Sequence, residues 1–323
     1  MYFIIMFVLL FLAERLYFRI ADKYNIIDKP NERSSHSQIT LRGGGIIFYL
    51  GAMIYFLTNH LSYPWFMIGL TLITIISFID DIQPVSQKIR LLFHFTGMGL
   101  MFYQWGMFNM AWGWWYIIIA LILCIGVINA YNFMDGINGI TGGYSLVVLL
   151  ALAYINEFVV HFTDNRFIYI LVLAVMVFNF FNFRKKARCF AGDVGSVSIA
   201  FILLFLIGQL VLKTKDLSYI VLLAVYGVDS VLTVIHRVML HENIGLPHRK
   251  HLYQIMANEL KISHIAVSAV YMFVQTLVVI GFIIVHPYGC GYWYLLAVVL
   301  LLCVIYVVFM KKFFHLHLSN SKI

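Results

Sequence analysis

The chain has 323 residues, of which 63% are hydrophobic and only 11% charged, with a formal net charge of +8. A soluble domain carries about 25% charged residues, so this composition excludes a water-soluble globular protein and makes the bilayer the solvent for most of the surface. No polar linker divides the chain, and we read 1–323 as a single domain, with its polar motifs between about 28 and 254 and a tail at 311–323.

A spanning helix needs about 20 mostly apolar residues. Eleven stretches qualify in chain order: 1–20, 44–60, 64–80, 90–107, 113–130, 142–161, 166–183, 197–213, 217–237, 263–285 and 291–310. None shows the alternation of a barrel strand, so the expected class is an all-α polytopic membrane protein. The first stretch has no basic lead-in of the kind a signal peptide carries, and reads as a membrane helix. The four cysteines, Cys124, Cys189, Cys290 and Cys303, form no CxxC pair and read as isolated thiols.

Basic residues sort with the parity of these stretches. Arg15, Arg19, Lys23, Lys29, Arg33 and Arg42 follow the first, Lys88 and Arg90 the third, Arg184, Lys185, Lys186 and Arg188 the seventh. Arg237, Arg249, Lys250 and Lys261 follow the ninth, and Lys311, Lys312 and Lys322 the last. Only Arg166, Lys213 and Lys215 of the 22 Lys and Arg residues fall on the other side. The positive-inside rule then predicts a periplasmic N-terminus, a cytoplasmic C-terminus and a cytoplasmic basic face.

The polar motifs obey the same parity. They are DKPNER at 28–33 with His36 and Gly43–Gly45, Asp80-Asp81, then Asn129, Asn132 and Asp135, then Gly192-Asp193 with Gly195-Ser196, and HRKH at 248–251. All five are therefore expected on the basic face. Gly43–Gly45, Gly142-Gly143 and Gly195-Ser196 stand where even-numbered helices begin; there, free N–H groups and the helix dipole favour an anion and glycine allows close approach. Helix capping is the plainer reading of any one of them.

Asp80 and Asp81 close an apolar run. Ionisable groups at that depth are costly and mark function, and two adjacent carboxylates need a cation or a shared proton. Asn129, Asn132 and Asp135, spaced by three, share one helical stripe. With Asp193 they offer hard oxygens of the kind Mg²⁺ takes, although Asx capping also accounts for the asparagines. His236, His241, His248 and His251 could be a zinc set, but no cysteine or carboxylate pairing supports tetrahedral spacing. Phosphate contacts from His248, Arg249 and His251 fit better. Asp229 and His236 share a face at i, i+7 and are expected to pair.

At this point the chain resembles the polyprenyl-phosphate N-acetylhexosamine-1-phosphate transferases of glycosyl transferase family 4. The resemblance runs from about Asp28 to Gln254 through DKPNERSSH…RGGG (28–45), FIDD (78–81), NAYNFMDGINGITGG (129–143), ARCFAGDVGS (187–196) and HRKHLYQ (248–254). It implies transfer of an N-acetylaminosugar-1-phosphate from a UDP-sugar to undecaprenyl phosphate, releasing UMP, with Mg²⁺ or Mn²⁺, in the bacterial inner membrane. By position it implies Asp80 and Asp81 as the catalytic pair and Asn132 and Asp193 as metal ligands. Arg42, Arg90, Asp135, Phe190 (stacking on uracil), His248, Arg249 and His251 become substrate contacts. The last loop, HRKHLYQ, resembles the O-antigen and capsule branch more than the peptidoglycan translocase branch, which stays as the alternative. Expected partners are the two substrates and the bilayer, with no nucleic acid; a homodimer is left open. A secondary transporter of an anionic solute is the non-enzyme alternative, but it would place polar groups at mid-membrane in repeated halves, and no inverted repeat is visible here. A scaffold would have no need of five such loops.

Overall fold

The computed structural model describes residues 1–28, 39–110, 113–243 and 248–320, with side chains to 317. Lys29 to Arg33 and His36 of the first motif, and Lys322, lie outside the described residues. Twelve helices follow one another: α1 Tyr2–Lys23, α2 Ile46–Thr58, α3 Pro64–Ile82, α4 Gln87–Gln104, α5 Trp115–Met134, α6 Ile140–Phe158, α7 Asn165–Asn182, α8 Gly192–Thr214, α9 Ala224–Met239, the short α10 Leu252–Gln254, α11 His264–Val285 and α12 Gly291–Asn320. A helix thus occupies each of the eleven apolar stretches. Eight helical segments among the described residues are long and apolar enough to cross a membrane. α2, with 13 residues, is short for that. α1 carries Glu14, Arg15, Arg19, Asp22 and Lys23, and α4 carries Lys88, Arg90 and His94, so neither reads as a clean lipid-facing span.

α8 is the axis of the fold. It is apolar all round, and 83% of its best spanning window is buried, the pattern of a helix packed against protein rather than lipid. α2, α3, α5 and α6 pack on it, with Phe66 of α3 stacked on Phe205 at 3.9 Å. α12 is the opposite case, with 17% of its window buried; most of its side chains are exposed, while Tyr306, Met310 and Phe314 pack inward.

Two local features depart from a simple row of helices. Ile27–Asp28 (β1) and Thr40–Leu41 (β2) pair antiparallel, and Leu41 then bridges in parallel to Cys189; the fold is all-α apart from this ladder. The ninth stretch opens as a 3₁₀ turn, Leu217–Leu223, before α9. Gln275 of α11 serves that irregular backbone, donating to the Val221 carbonyl (3.2 Å) and accepting from Val225 N–H (3.3 Å) and Tyr144 Oη (2.7 Å). Irregular backbone at membrane depth needs such a partner, because lipid offers none.

Candidate active site

The polar loops after α1, α3, α5, α7 and α9 meet at one end of the bundle. Its centre is Asp193 in the first turn of α8. The carboxylate lies between two guanidinium groups, 3.5 Å from Arg42 Nη2 and 3.3 Å from Arg90 Nη2. Each arginine also holds one member of the doublet: Arg42 Nε is 2.8 Å from Asp81 Oδ1, and Arg90 Nη1 is 2.7 Å from Asp80 Oδ2. Three loops are thereby tied into one charge network.

The two adjacent aspartates do different things. The Asp81 side chain has no exposure and accepts from the N–H groups of Asp193 and Val194, both at 2.9 Å. It is the cap of α8, supplied from another helix, where a negative group satisfies free N–H donors and the dipole. Gly192 makes room for it: φ is +72°, and a Cβ there would lie 2.5 Å from Asp81 Oδ2. Asp80 instead accepts from Val85 N–H at 2.7 Å and faces Arg90.

This corrects the expectation that glycine-lined helix starts form an anion cradle. The α8 start is filled by Asp81. The N–H groups of Gly44 and Gly45 donate to the carbonyls of Phe190 and Ala191 at 2.9 and 3.1 Å. A Cβ on Gly45 would fall 2.3 Å from Gly195 Cα. The first-loop and α8 glycines thus serve backbone-to-backbone packing, and Gly142 and Gly143 serve helix packing, meeting Phe178, Asn179 and Met272.

From the end of α5, Asn132 Oδ1 accepts from Ser196 Oγ at 3.0 Å, and Ser196 lies one turn beyond Asp193. Asp135, just past the helix, accepts from Thr141 Oγ1 at 2.7 Å. Burial pushes its carboxyl up to about 7 despite that hydrogen bond, and the charge of Asp193 adds to the rise. Burial opposes the charge on Arg42, but Asp81 and Asp193 outweigh it and hold the guanidinium above its ordinary value. Phe190 is fixed through its backbone, its N–H donating to the Leu41 carbonyl at 2.8 Å; its ring is half-buried.

The last loop docks on the same end of α5. Tyr253 Oη donates to the Phe133 carbonyl at 2.9 Å, and the Phe133 ring lies 6.0 Å from His248 and 6.1 Å from His251. His248 and Arg249 are half-buried. Burial, with His251 alongside, pulls His248 down to about 3, so it brings hydrogen bonding but no charge at neutral pH. His251, expected to face substrate, is 1% exposed and stands 3.4 Å from Asp229 Oδ1. Asp229 therefore pairs with His251 and not with His236, whose ring packs on Phe314 at 4.6 Å. Thr141 was not singled out, Ser196 was read only as part of a helix start, and Asp229 was matched to His236 and not to His251, for nothing in their spacing indicates a tertiary partner. Glu14 of α1 is buried behind Gly44, with Cys189 Sγ 3.7 Å from its Oε1.

Among the described residues, no three His, Cys, Asp or Glu side chains gather as a metal-binding group. A cage made wholly of protein is not what Mg²⁺ requires, since it binds through one or two carboxylates and keeps water and phosphate oxygens. Asp193 and Asn132 fit that demand as neighbouring hard-oxygen donors. Among the described residues, the cations paired with Asp80, Asp81 and Asp193 are Arg42 and Arg90.

Residues 63–210 match the model of glycosyl transferase family 4. Over that segment the chain is similar to that family. The matched segment carries the aspartate doublet, Asn132, Asp135 and Asp193, while Arg42 and the last loop lie outside it. The chain is 26% identical over 260 residues to a probable undecaprenyl-phosphate N-acetylglucosaminyl 1-phosphate transferase of Bacillus subtilis (strain 168), covering 73% of this chain and 70% of that protein. It is 24% identical over 312 residues to the undecaprenyl-phosphate alpha-N-acetylglucosaminyl 1-phosphate transferase of Escherichia coli (strain K12), covering 89% and 84%. Its identity to the protein of the same description from Salmonella typhi is 25% over 276 residues, covering 77% and 72%. The chain is a polytopic, largely helical membrane protein, consistent with a bacterial inner-membrane enzyme.

Proposed function

We propose that this protein transfers an N-acetylaminosugar-1-phosphate from a UDP-sugar to undecaprenyl phosphate, at the cytoplasmic face, and so begins a cell-envelope polysaccharide. The observation that carries the reading is the position of Asp193 between Arg42 and Arg90, each of which also holds one of the doublet aspartates. Both substrates are phosphates, so the problem to be solved is an anion attacking an anion. The lipid phosphate, with a second pKa near 6 by analogy with phosphoserine, is largely dianionic at neutral pH and needs neutralising and aligning more than deprotonating. One of its oxygens bonds to the β-phosphorus of the donor; the bond from that phosphorus to the bridging oxygen breaks, and the electron pair leaves with UMP.

Arg42 and Arg90 keep roughly a third of their side chains exposed. A guanidinium has five N–H donors, so each has donors left for phosphate oxygens after its carboxylate contacts, and such donors stabilise charge that builds in the transition state. Asp80 orients the acceptor phosphate or takes its residual proton. Asp81 keeps the α8 start, and with it Asp193, in place. Asn132 and Asp193 would hold Mg²⁺, which when bound supplies positive charge to the donor diphosphate. Phe190 would stack on the uracil, with Asp135 beside the nucleotide, and His248 and Arg249 would reach the diphosphate.

The test uses purified protein, radiolabelled UDP-GlcNAc and undecaprenyl phosphate. Lipid-linked label and UMP should form, and EDTA should abolish both. Asp193→Asn should insert and purify normally yet lose nearly all turnover. No product from any of a panel of UDP-N-acetylhexosamines would overturn the reading; uptake of an anionic solute into proteoliposomes would then favour a transporter. Wild-type turnover of Asp193→Asn across a Mg²⁺ titration would overturn the metal assignment alone. Label retained on the enzyme after UDP-sugar alone would replace direct attack with a covalent aspartyl-phosphate route.

A further inference from the structure

Asp229 is a carboxylate buried in the membrane-embedded α9, 4% exposed, and no step of the reaction above uses it. An unpaired buried carboxylate would be costly, but this one is surrounded by donors from several elements. Oδ2 accepts from Tyr271 Oη of α11 at 2.6 Å. Oδ1 accepts from Thr233 Oγ1 at 3.1 Å and from the Leu252 N–H of the last loop at 3.0 Å. Thr233 is in turn 3.0 Å from Tyr306 Oη of α12. His251 Nδ1 completes the ring of partners at 3.4 Å. α11 therefore reaches the carboxylate directly and α12 through Thr233, and the carboxylate holds the last loop by the Leu252 hydrogen bond and the adjacent His251 ring.

On its other side the His251 ring lies 4.9 Å from the ring of His248, centroid to centroid and tilted by 32°. His248 is the half-buried member of the pair, at the end of α5 that carries Asn132 and Asp135. Neither ring nitrogen of His251 has a hydrogen-bond partner among the described residues; the imidazole is held by its 3.4 Å approach to Asp229 and by packing against Phe133, His248 and Tyr253.

We propose that Asp229 and His251 are positioning residues: the carboxylate anchored in the bundle fixes the His251 ring and the Leu252 backbone, and these set His248 and Arg249 where they meet the donor diphosphate. The inference rests on the phosphate-binding role assigned to the last loop. A carboxylate that orients a histidine in a metal site contributes roughly 10–100-fold to function, and an effect of that size is expected here without any contact between Asp229 and substrate.

The experiment measures kcat and KM for UDP-GlcNAc in His248→Ala, His251→Gln, Asp229→Asn and the double variant Asp229→Asn/His248→Ala, with Tm of each. His248→Ala should lose at least tenfold in kcat/KM. Asp229→Asn and His251→Gln should each lose roughly tenfold or more, chiefly through KM for the donor, and Asp229→Glu should recover part of the loss. The double variant should lose clearly less than the product of the two single losses, the remainder being what Asp229 contributes through Arg249, since residues acting through one another are not additive. Losses that multiply in the double variant, or wild-type kinetics in His251→Gln, would overturn the positioning role. Wild-type kinetics in His248→Ala would instead overturn the assignment of the loop to substrate. His251 lies outside the bundle helices, so its variant decides the matter even if Asp229→Asn fails to fold.

Discussion

Adjacent identical residues are separated in function by what each carboxylate touches. Asp81 accepts two N–H groups at 2.9 Å and one guanidinium, and its amide analogue could satisfy only part of that set. Asp81→Asn should therefore lower Tm as well as turnover, by about 1 kcal/mol or more in stability for a damaged cap. Asp80→Asn should lose turnover at unchanged Tm and keep its affinity for UMP in calorimetry. Equal Tm loss in both would contradict the division of labour. Asp135 makes a second residue-scale prediction through its raised value near 7. A carboxyl raised in the folded state binds more protons folded than unfolded between roughly pH 4 and 7, so its contribution to stability falls as pH rises through that window. In metal-free buffer, the Tm advantage of Asp135→Asn over wild type should grow from about pH 5 to about pH 8. A flat difference would mean the carboxylate is held ionised.

Helix positions could be read from apolar runs because the bilayer imposes their length, and charged residues in loops could be read because they break those runs. Asp80 and Asp81 stand out that way, at the end of an apolar run. Partners could not be: Asp81 caps a helix that begins more than a hundred residues later, and Asp229 meets His251 across a loop, neither of which leaves a local period. The 3₁₀ opening before α9 was hidden for a similar reason, since its remedy, Gln275, sits on another helix. The glycines were read for the wrong neighbour, an anion where the structure has backbone. At the crossing of α2 and α8, a Cβ on Gly45 would lie 2.3 Å from Gly195 Cα and one on Gly195 would lie 2.6 Å from Gly45 Cα. Backbone atoms cannot swing aside as a flexible side chain can. Gly45→Ala should lose about 1–3 kcal/mol by overpacking, lowering Tm by several degrees and shifting Arg42 off Asp81 enough to reduce turnover. A variant with wild-type Tm would show that the crossing can widen.

At the scale of the whole molecule, the five polar loops share one end, while the turn between α2 and α3 and the turn before α12 lie at the other. Of the described Lys and Arg residues, most follow the helices that end at this polar end, and basic segments are retained on the cytoplasmic side. The opposite turns are tight: His60, Leu61 and Tyr63 take positive φ, as does Gly289 ahead of α12. The native cysteines provide a way to read the orientation. Cys124 and Cys189 are buried, whereas Cys290 is partly exposed in the turn before α12; Cys303, also partly exposed, lies within α12, where lipid shields it from a charged reagent. A membrane-impermeant maleimide added to spheroplasts should therefore label the wild type, and Cys290→Ser should abolish the label. Ser86→Cys, introduced into the Cys290→Ser protein at the exposed turn between α3 and α4, should react only after permeabilisation. Labelling of Ser86→Cys from outside, with Cys290 protected, would put the arginine–aspartate network on the periplasmic side. A cytoplasmic sugar nucleotide could not reach it there.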